Sequence, residues 1–188
     1  MGKYYSVKVS PEETGNGETL YGAGTVLFNW TPFEIPKGTA HLDMISYTLK
    51  GPNGVDAAGE DIELYFAKSI DGVAPLDFGV VRAAPTDILA TRCRRNIIAN
   101  VNLDGSELED NGALGSFRSH SPWANRISQG LILEGDPDYN STAGYQTIWV
   151  AGIAITEIDF GTAVALNNDP ANQAATTSQV QLTTSGTD

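Results

Sequence analysis

Two histidines, one cysteine and 23 acids are what this 188-residue chain offers to catalysis or metal binding. His120 stands in Arg118-Ser119-His120-Ser121-Pro122-Trp123, with a hydroxyl on either side. A serine nucleophile needs its base across a hydrogen bond. Neighbours in an extended chain point opposite ways, and no Gly-x-Ser-x-Gly turn surrounds either serine. His120 therefore reads as a hydrogen-bonded loop histidine, and His41, at the start of an apolar strand, as a packed or surface side chain. A carboxylate pair such as Glu107 and Asp136 would suit glycoside hydrolysis, but no acid has a sequence context that raises its pKa. No catalytic residue is assigned, and the expectation is a protein that is not an enzyme.

Zinc through thiolate and imidazole fails on numbers, with one Cys and two well-separated His. Calcium has a better case: Asp136, Asp138 and Asn140 place oxygen ligands at alternate positions, as calcium loops do. Against it, Ser141 stands where the tight turn wants glycine and Thr147 where a bidentate glutamate belongs, with Glu134 nearby in a different geometry. The preferred reading is a solvated turn, and the same holds for Glu107, Glu109 and Asp110. Tyr21-Gly22-Ala23-Gly24-Thr25 lacks the third glycine and the Lys-Ser/Thr pair of a phosphate cradle. No cofactor is expected.

Binding chemistry is easier to find. Arg92, Arg94 and Arg95 put three of the chain's 11 bases within four positions, on a chain of net charge −12. They can pair with the chain's own carboxylates or with an acidic face of another copy or another subunit. Nucleic acid is not expected: the overall field is negative, and no aromatic interleaves these arginines. Cys93, between them, reads as a buried, inert thiol. Among the aromatics, Trp30 and Trp149 fall in strand patterns and read as core. Trp123 and Tyr139 lie in loop-like sequence and are candidate contacts for a sugar, as is Tyr145 more weakly.

Period-two patterns, which place side chains on alternate faces, run through most of the chain. In residues 61–66, Ile62, Leu64 and Phe66 alternate with Asp61, Glu63 and Tyr65, which predicts a sheet with one wet face. In residues 25–30, Val26, Phe28 and Trp30 share a side. In residues 41–50, Leu42 and Met44 point one way, His41, Asp43, Ile45, Tyr47 and Leu49 the other. Residues 95–103, 130–135 and 145–156 read as further strands, separated by turn signals such as Gly51-Pro52-Asn53-Gly54, Asp71-Gly72, Asp104-Gly105 and Asn111-Gly112. The expected fold is all-β, a β-sandwich of jelly-roll topology over residues 1–160. Helix is confined to single turns after Thr86 and Ser121. The triplets Asn29-Trp30-Thr31 and Asn140-Ser141-Thr142 match a glycosylation acceptor by chance: the start MGKYYSVKVS carries no apolar run of secretory-leader length. Residues 147–158 are too short and too interrupted to span a bilayer, so no membrane is expected.

Residues 161–188 differ from the rest. They hold no Lys or Arg, two acids (Asp169 and Asp188), and mostly Ala, Ser, Thr, Asn and Gln. Such a stretch buries too little apolar surface to offset its own ordering entropy. Its last part alternates weakly, Val180 and Leu182 on one face, Gln179 and Gln181 on the other. The expectation is an extended C-terminal arm whose backbone adds as a strand to a sheet edge, its own or a neighbour's. Gln179, Val180, Gln181 and Leu182, with the three arginines, are the expected partner contacts.

Three stretches resemble structural proteins of tailed bacteriophages, particularly those of marine bacteria and cyanobacteria: residues 20–42 (LYGAGTVLFNWTPFEIPKGTAHL), residues 61–75 (DIELYFAKSIDGVAP) and, less clearly, residues from Tyr145 onward. About 60 residues carry the likeness. It implies a virion protein made in the host cytoplasm, most simply one that decorates or cements a capsid as a small homo-oligomer bound to shell subunits. A tail or fibre subunit and a carbohydrate-binding module are the alternatives. The resemblance supplies no catalytic residues.

Overall fold

The computed structural model describes residues 3–9, 20–50, 61–85, 94–105, 108–110, 117–120, 131–139, 142–159 and 179–186. The expected short helix after Thr86, the turn at Ser121, Arg92, Cys93, Glu107, Trp123, Asn140 and residues 161–178 lie outside them. Among the described residues twelve strands run in chain order: β1 (Lys3–Val9), β2 (Leu20–Tyr21), β3 (Thr25–Pro36), β4 (Ala40–Lys50), β5 (Ile62–Ala67), β6 (Ile97–Leu103), β7 (Leu108–Asp110), β8 (Phe117–His120), β9 (Leu131–Leu133), β10 (Tyr145–Ala154), β11 (Ile158–Asp159) and β12 (Gln179–Gly186).

They form two main antiparallel sheets. One has the order β1-β12-β4-β8-β7, with β9 pairing the start of β4; the other has the order β3-β10-β5-β6, and β11 and β2 make a small separate pair. The pairing is nested: β1 with β12, β3 with β10, β4 with β8 and β9, and β5 with β6. A chain paired in this way is one long hairpin rolled up, and the roll brings β12 beside β4 and β10 beside β5. That is the jelly-roll, as expected.

Between the sheets lies the main core. Leu27, Phe28, Phe33, Ile35, Ile62, Leu64, Phe66, Leu103, Ile148 and Val150 from one sheet meet Ala40, Leu42, Ile45 and Leu133 from the other. Ile62, Leu64 and Phe66 point inward as their alternation predicted. Two other alternations break. Leu42 and Ile45, expected on opposite faces, are both fully buried in the main core. The pairing of β12 with β4 slips at this point, Thr183 opposite Met44 and Thr184 opposite Leu42, so Asp43 is an extra residue. In β3, Phe28 joins Leu27 in the main core, while Val26 belongs to a second cluster with Trp30 packed against it. Here β10 slips twice against β3, around Gly152. An inserted residue reverses the facing of everything beyond it, which an alternation read from sequence cannot anticipate. Gly152 sits where a Cβ would overlap the Phe28 ring, so the bulge requires glycine there.

The C-terminal segment occupies the middle of its sheet. All eight residues of β12 pair with β4, and Val180 to Gly186 also pair with β1. Residues 179–186 do form a strand, but its backbone hydrogen bonds on both sides are made within the chain. Strand addition to another molecule through Val180–Leu182 is therefore closed off at the backbone. The cause is topological: the last strand of a rolled hairpin returns to pair with the first, and the roll then lays it against the fourth.

Candidate functional site

The second cluster lies on the opposite, outer face of the β3-β10-β5-β6 sheet. It consists of Val26, Phe78, Ala151 and Ile153, with Trp30, Tyr65, Val81 and Ile97 packed against it. Phe78 belongs to no strand. It comes from the connection between β5 and β6, whose residues 68–85 fold back across the sheet as a strap, so this face is not the wet one that the alternation of β5 predicted.

Asp71 and Gly72 open the strap with a two-residue turn closed by Ile70 N–H to Val73 O and Val73 N–H to Ile70 O, both 3.0 Å. Both central residues have positive φ, 52° and 74°, the conformation that an Asp-Gly pair adopts most readily. The chain then crosses the sheet and is pinned by Asn29. Its Oδ1 accepts from Phe78 N at 2.7 Å and Trp30 N at 2.9 Å, and its Nδ2 donates to Gly79 O at 3.0 Å. The Trp30 indole N–H donates to Leu76 O at 2.7 Å. Beyond it, Arg82 N–H donates to Val26 O and Val26 N–H to Ala83 O, at 2.8 and 2.9 Å. Between these anchors the Phe78 ring is fully buried, 4.8 Å from Trp30 edge-on and 5.1 Å from Tyr65. Burying a Phe side chain contributes roughly 2–3 kcal/mol, enough to hold a strap whose other links are a few hydrogen bonds.

Asp136 ties the strap's turn to the loop after β9. Its Oδ2 accepts from Gly72 N at 2.9 Å and its Oδ1 from Asp138 N at 3.0 Å. Burial tends to raise this carboxyl's pKa, but the Gly72 and Asp138 amides, the Ser69 hydroxyl and the Lys68 charge outweigh it and hold the pKa below its ordinary value. Ser69 acts from nearby without closing a hydrogen bond, since its fully buried oxygen has no hydrogen-bonded partner. A neighbouring network joins Tyr65 and Asn100 to Glu63: the phenol donates to Oε2 at 2.7 Å and the amide to Oε1 at 2.6 Å. Desolvation, then the hydrogen bond and negative charge of Glu63, push the Tyr65 phenol well above its usual pKa.

What the strap turns outward is apolar. Val73, Leu76 and Val80 are 64%, 49% and 73% exposed. Ile70, Asp71, Val73, Ala74 and Leu76, together with Arg95 and Asn96, line an open groove of about 450 Å³. Asn96 is buried and locked to Lys68 by Nδ2 to Lys68 O at 2.8 Å and Lys68 N to Asn96 O at 2.9 Å, which fixes where the exposed Arg94 and Arg95 leave the body. The surface is thus a largely apolar open groove with the Arg95 cation in its lining.

Of the residues singled out from sequence, Arg95 lines this groove, and Arg94, its neighbour in the chain, is exposed. Asp136 serves as the latch just described; both its oxygens accept backbone amides, and Asp138 supplies one of those amides. Tyr139, the candidate sugar contact, is half-buried with its ring edge-on to Trp149 at 4.9 Å, and Trp149 is core. Asn29 of the glycosylation triplet is committed to the strap. Among the described residues no group of three or more His, Cys, Asp or Glu is placed to hold a metal ion, and no helix is long and apolar enough to cross a membrane. Sequence reasoning missed Phe78, Leu76 and Val80. The available signal was residues 76–80, where Leu76, Phe78 and Val80 alternate with Asp77 and Gly79 just after Pro75.

No family model and no curated protein matches the chain. Among solved structures, it is similar to a chain of a full particle of Israeli acute paralysis virus heated to 63 degrees. That match has 12% identity and a TM-score of 0.29, over 98% of this chain and 70% of that one. Two chains with so low a TM-score cannot be said to share a fold, and the jelly-roll is established by the strand order alone.

Proposed function

We propose that the protein is a non-catalytic structural component of a virion that decorates an assembled shell. The strap surface is the face that binds, and shell subunits are the partner. The observation that carries this reading is the strap itself. A segment outside both sheets is anchored by Phe78 and Asn29, yet it presents Val73, Leu76 and Val80 to solvent, and Val73 and Leu76 share a groove with Arg95. Contiguous exposed apolar surface with a charged rim is characteristic of a protein–protein interface. Arg94 and Arg95, on a molecule of net charge −12, favour an acidic surface opposite and repel cationic ones. The likeness of residues 20–42 and 61–75 to phage structural proteins supports the same role, and the second of those stretches includes the turn of the strap.

The mechanism is mechanical. A protein that binds the closed shell and not its separated subunits raises the free energy of opening by mass action. Many copies, each contributing a modest contact, sum through multivalency. Shells assembled from the capsid protein of the same virus, incubated with this protein and pelleted, should carry it in stoichiometric amounts and resist heat better than bare shells. A purified virion whose protein census lacks this chain contradicts the proposal.

A further inference from the structure

The chain has two Asp-Gly steps, Asp71-Gly72 and Asp104-Gly105. Such a step is open to a spontaneous rearrangement, because glycine puts no side chain beside the reacting nitrogen and leaves the backbone free to rotate. The glycine nitrogen bonds to Cγ of the protonated aspartic acid, and the carboxyl's hydroxyl leaves with the N–H proton as water. The product is a five-membered succinimide. Water then reopens the ring, and attack at the main-chain carbonyl leaves the nitrogen on Cγ, as isoaspartate. The mass is unchanged, and the main chain is one carbon longer.

Both steps are built in the same way. Asp71 and Asp104 are exposed, so water reaches each carboxyl. The nitrogen of each glycine is engaged: Gly72 N–H donates to Asp136 Oδ2 at 2.9 Å, and Gly105 N–H to Asp61 Oδ1 at 2.8 Å. The acceptors come from 64 and 44 residues away in the chain, and each is fixed. Asp136 is buried, and its other oxygen takes the Asp138 amide. Asp61 is tied through its backbone, its N–H donating to Thr156 Oγ1 and its O accepting from Ile155 N–H, both at 2.9 Å.

We infer that Asp71 and Asp104 are sites of isoaspartate formation that Asp136 and Asp61 hold closed, each by capturing the amide that would attack. Ring closure needs two things that these bonds oppose. The peptide plane must turn to bring the nitrogen to Cγ, which breaks a charge-assisted hydrogen bond. The nitrogen must also shed its proton, and the negative charge developing there meets a carboxylate at hydrogen-bond distance. Asp136, whose pKa lies below its ordinary value, is too weak a base to take that proton. At Asp71 the strap depends on the outcome, since an extra main-chain carbon in a two-residue turn would displace the paired amides of Ile70 and Val73.

This inference is independent of shell binding. Folded and guanidinium-denatured full chain, incubated at one pH and temperature, are mapped peptide by peptide for isoaspartate. Site resolution matters, because the Asn-Gly steps at Asn16, Asn53 and Asn111 reach the same product by losing ammonia. Each Asp-Gly step should isomerise at least about tenfold more slowly in the folded chain, the factor that a hydrogen bond to a charged group supplies. Asp136→Asn removes the charge at Gly72 and should speed the reaction at Asp71 while leaving Asp104 unchanged; Asp61→Asn should do the reverse. General unfolding would speed both together, so the crossed pattern is specific to the two bonds. Hydrogen exchange of the wild type needs no variant and should find the Gly72 and Gly105 amides protected. Folded wild type that isomerises at either step as fast as the denatured chain overturns the inference, as do unprotected glycine amides. So do Asn variants that stay folded by circular dichroism yet isomerise no faster than wild type at their own step.

Discussion

Residues 179–186 and residues 70–83 exchange the roles that their composition suggests. The first segment is polar, uncharged and apparently suited to reaching another molecule, yet it is the strand with a partner on each side in its own sheet. The second carries most of the apolar residues of a long connection and lies outside both sheets, with Val73 and Val80 largely in solvent. The difference teaches where binding capacity resides in this fold. A central strand has used its backbone on both sides and can offer a partner only side chains. A strap held down by the Phe78 ring, the Asn29 amide and a few backbone hydrogen bonds turns apolar side chains to solvent.

The sharpest way to break this comparison is to delete residues 179–188. If that segment were an arm, the remaining chain would stay folded. As β12 it is the partner of both β1 and β4, and its loss should abolish cooperative unfolding altogether, exceeding a domain stability of about 5–15 kcal/mol; circular dichroism and urea titration measure this. Phe78→Ala tests the other side. Loss of a fully buried ring should cost about 3–5 kcal/mol and release the strap, so that amides of residues 76–83 exchange faster while those of β12 keep their relative protection. Gly152→Ala, which drives a methyl into the Phe28 ring, should cost about 1–3 kcal/mol without loosening the strap, because it strikes the main core.

Smaller effects sharpen the picture at the latch. Asp136→Asn keeps an acceptor for the Gly72 amide but loses the charge, and should cost about 1 kcal/mol near neutrality. The folded-state pKa of Asp136 lies below its ordinary value of 3.8. The stabilisation is therefore full above that value and disappears as pH falls through the folded-state pKa. Wild type and Asp136→Asn should converge in melting temperature on acidification through that window. A gap that persists there would show that the charge does not act through the Gly72 and Asp138 amides. Tyr65→Phe, removing one hydrogen bond to Glu63, should have the least effect, about 0.5–1 kcal/mol.

Much of the fold was legible in the sequence. The alternation of Ile62, Leu64 and Phe66 put them in the core, Asp71-Gly72 marked a turn, and the density of strands and turns specified a sandwich. Facing was lost wherever an extra residue entered a ladder. Nothing local in residues 41–45 distinguishes a bulge at Asp43 from regular strand, because the bulge exists only against Thr183 and Thr184, some 140 residues away. The position of β12 was illegible for the same reason: a central place in a sheet is a property of topology, and Gln and Thr suit a strand whose stability comes from the ladder. At the surface, the basic run 92–95 was visible, and Arg94 and Arg95 are exposed. The apolar half was not, since only the fold shows that Phe78 turns inward and Val73, Leu76 and Val80 turn out.

The central claim is that the strap, and not the C-terminal segment, is the binding face. Leu76→Asp with Val80→Asp changes two exposed side chains and leaves Phe78 and Asn29 in place, so stability should move by less than about 0.5 kcal/mol per site. Titrated against capsid shells of the same virus alongside wild type, the double variant should lose binding while its melting curve stays put. Equal binding by the two proteins would contradict the account.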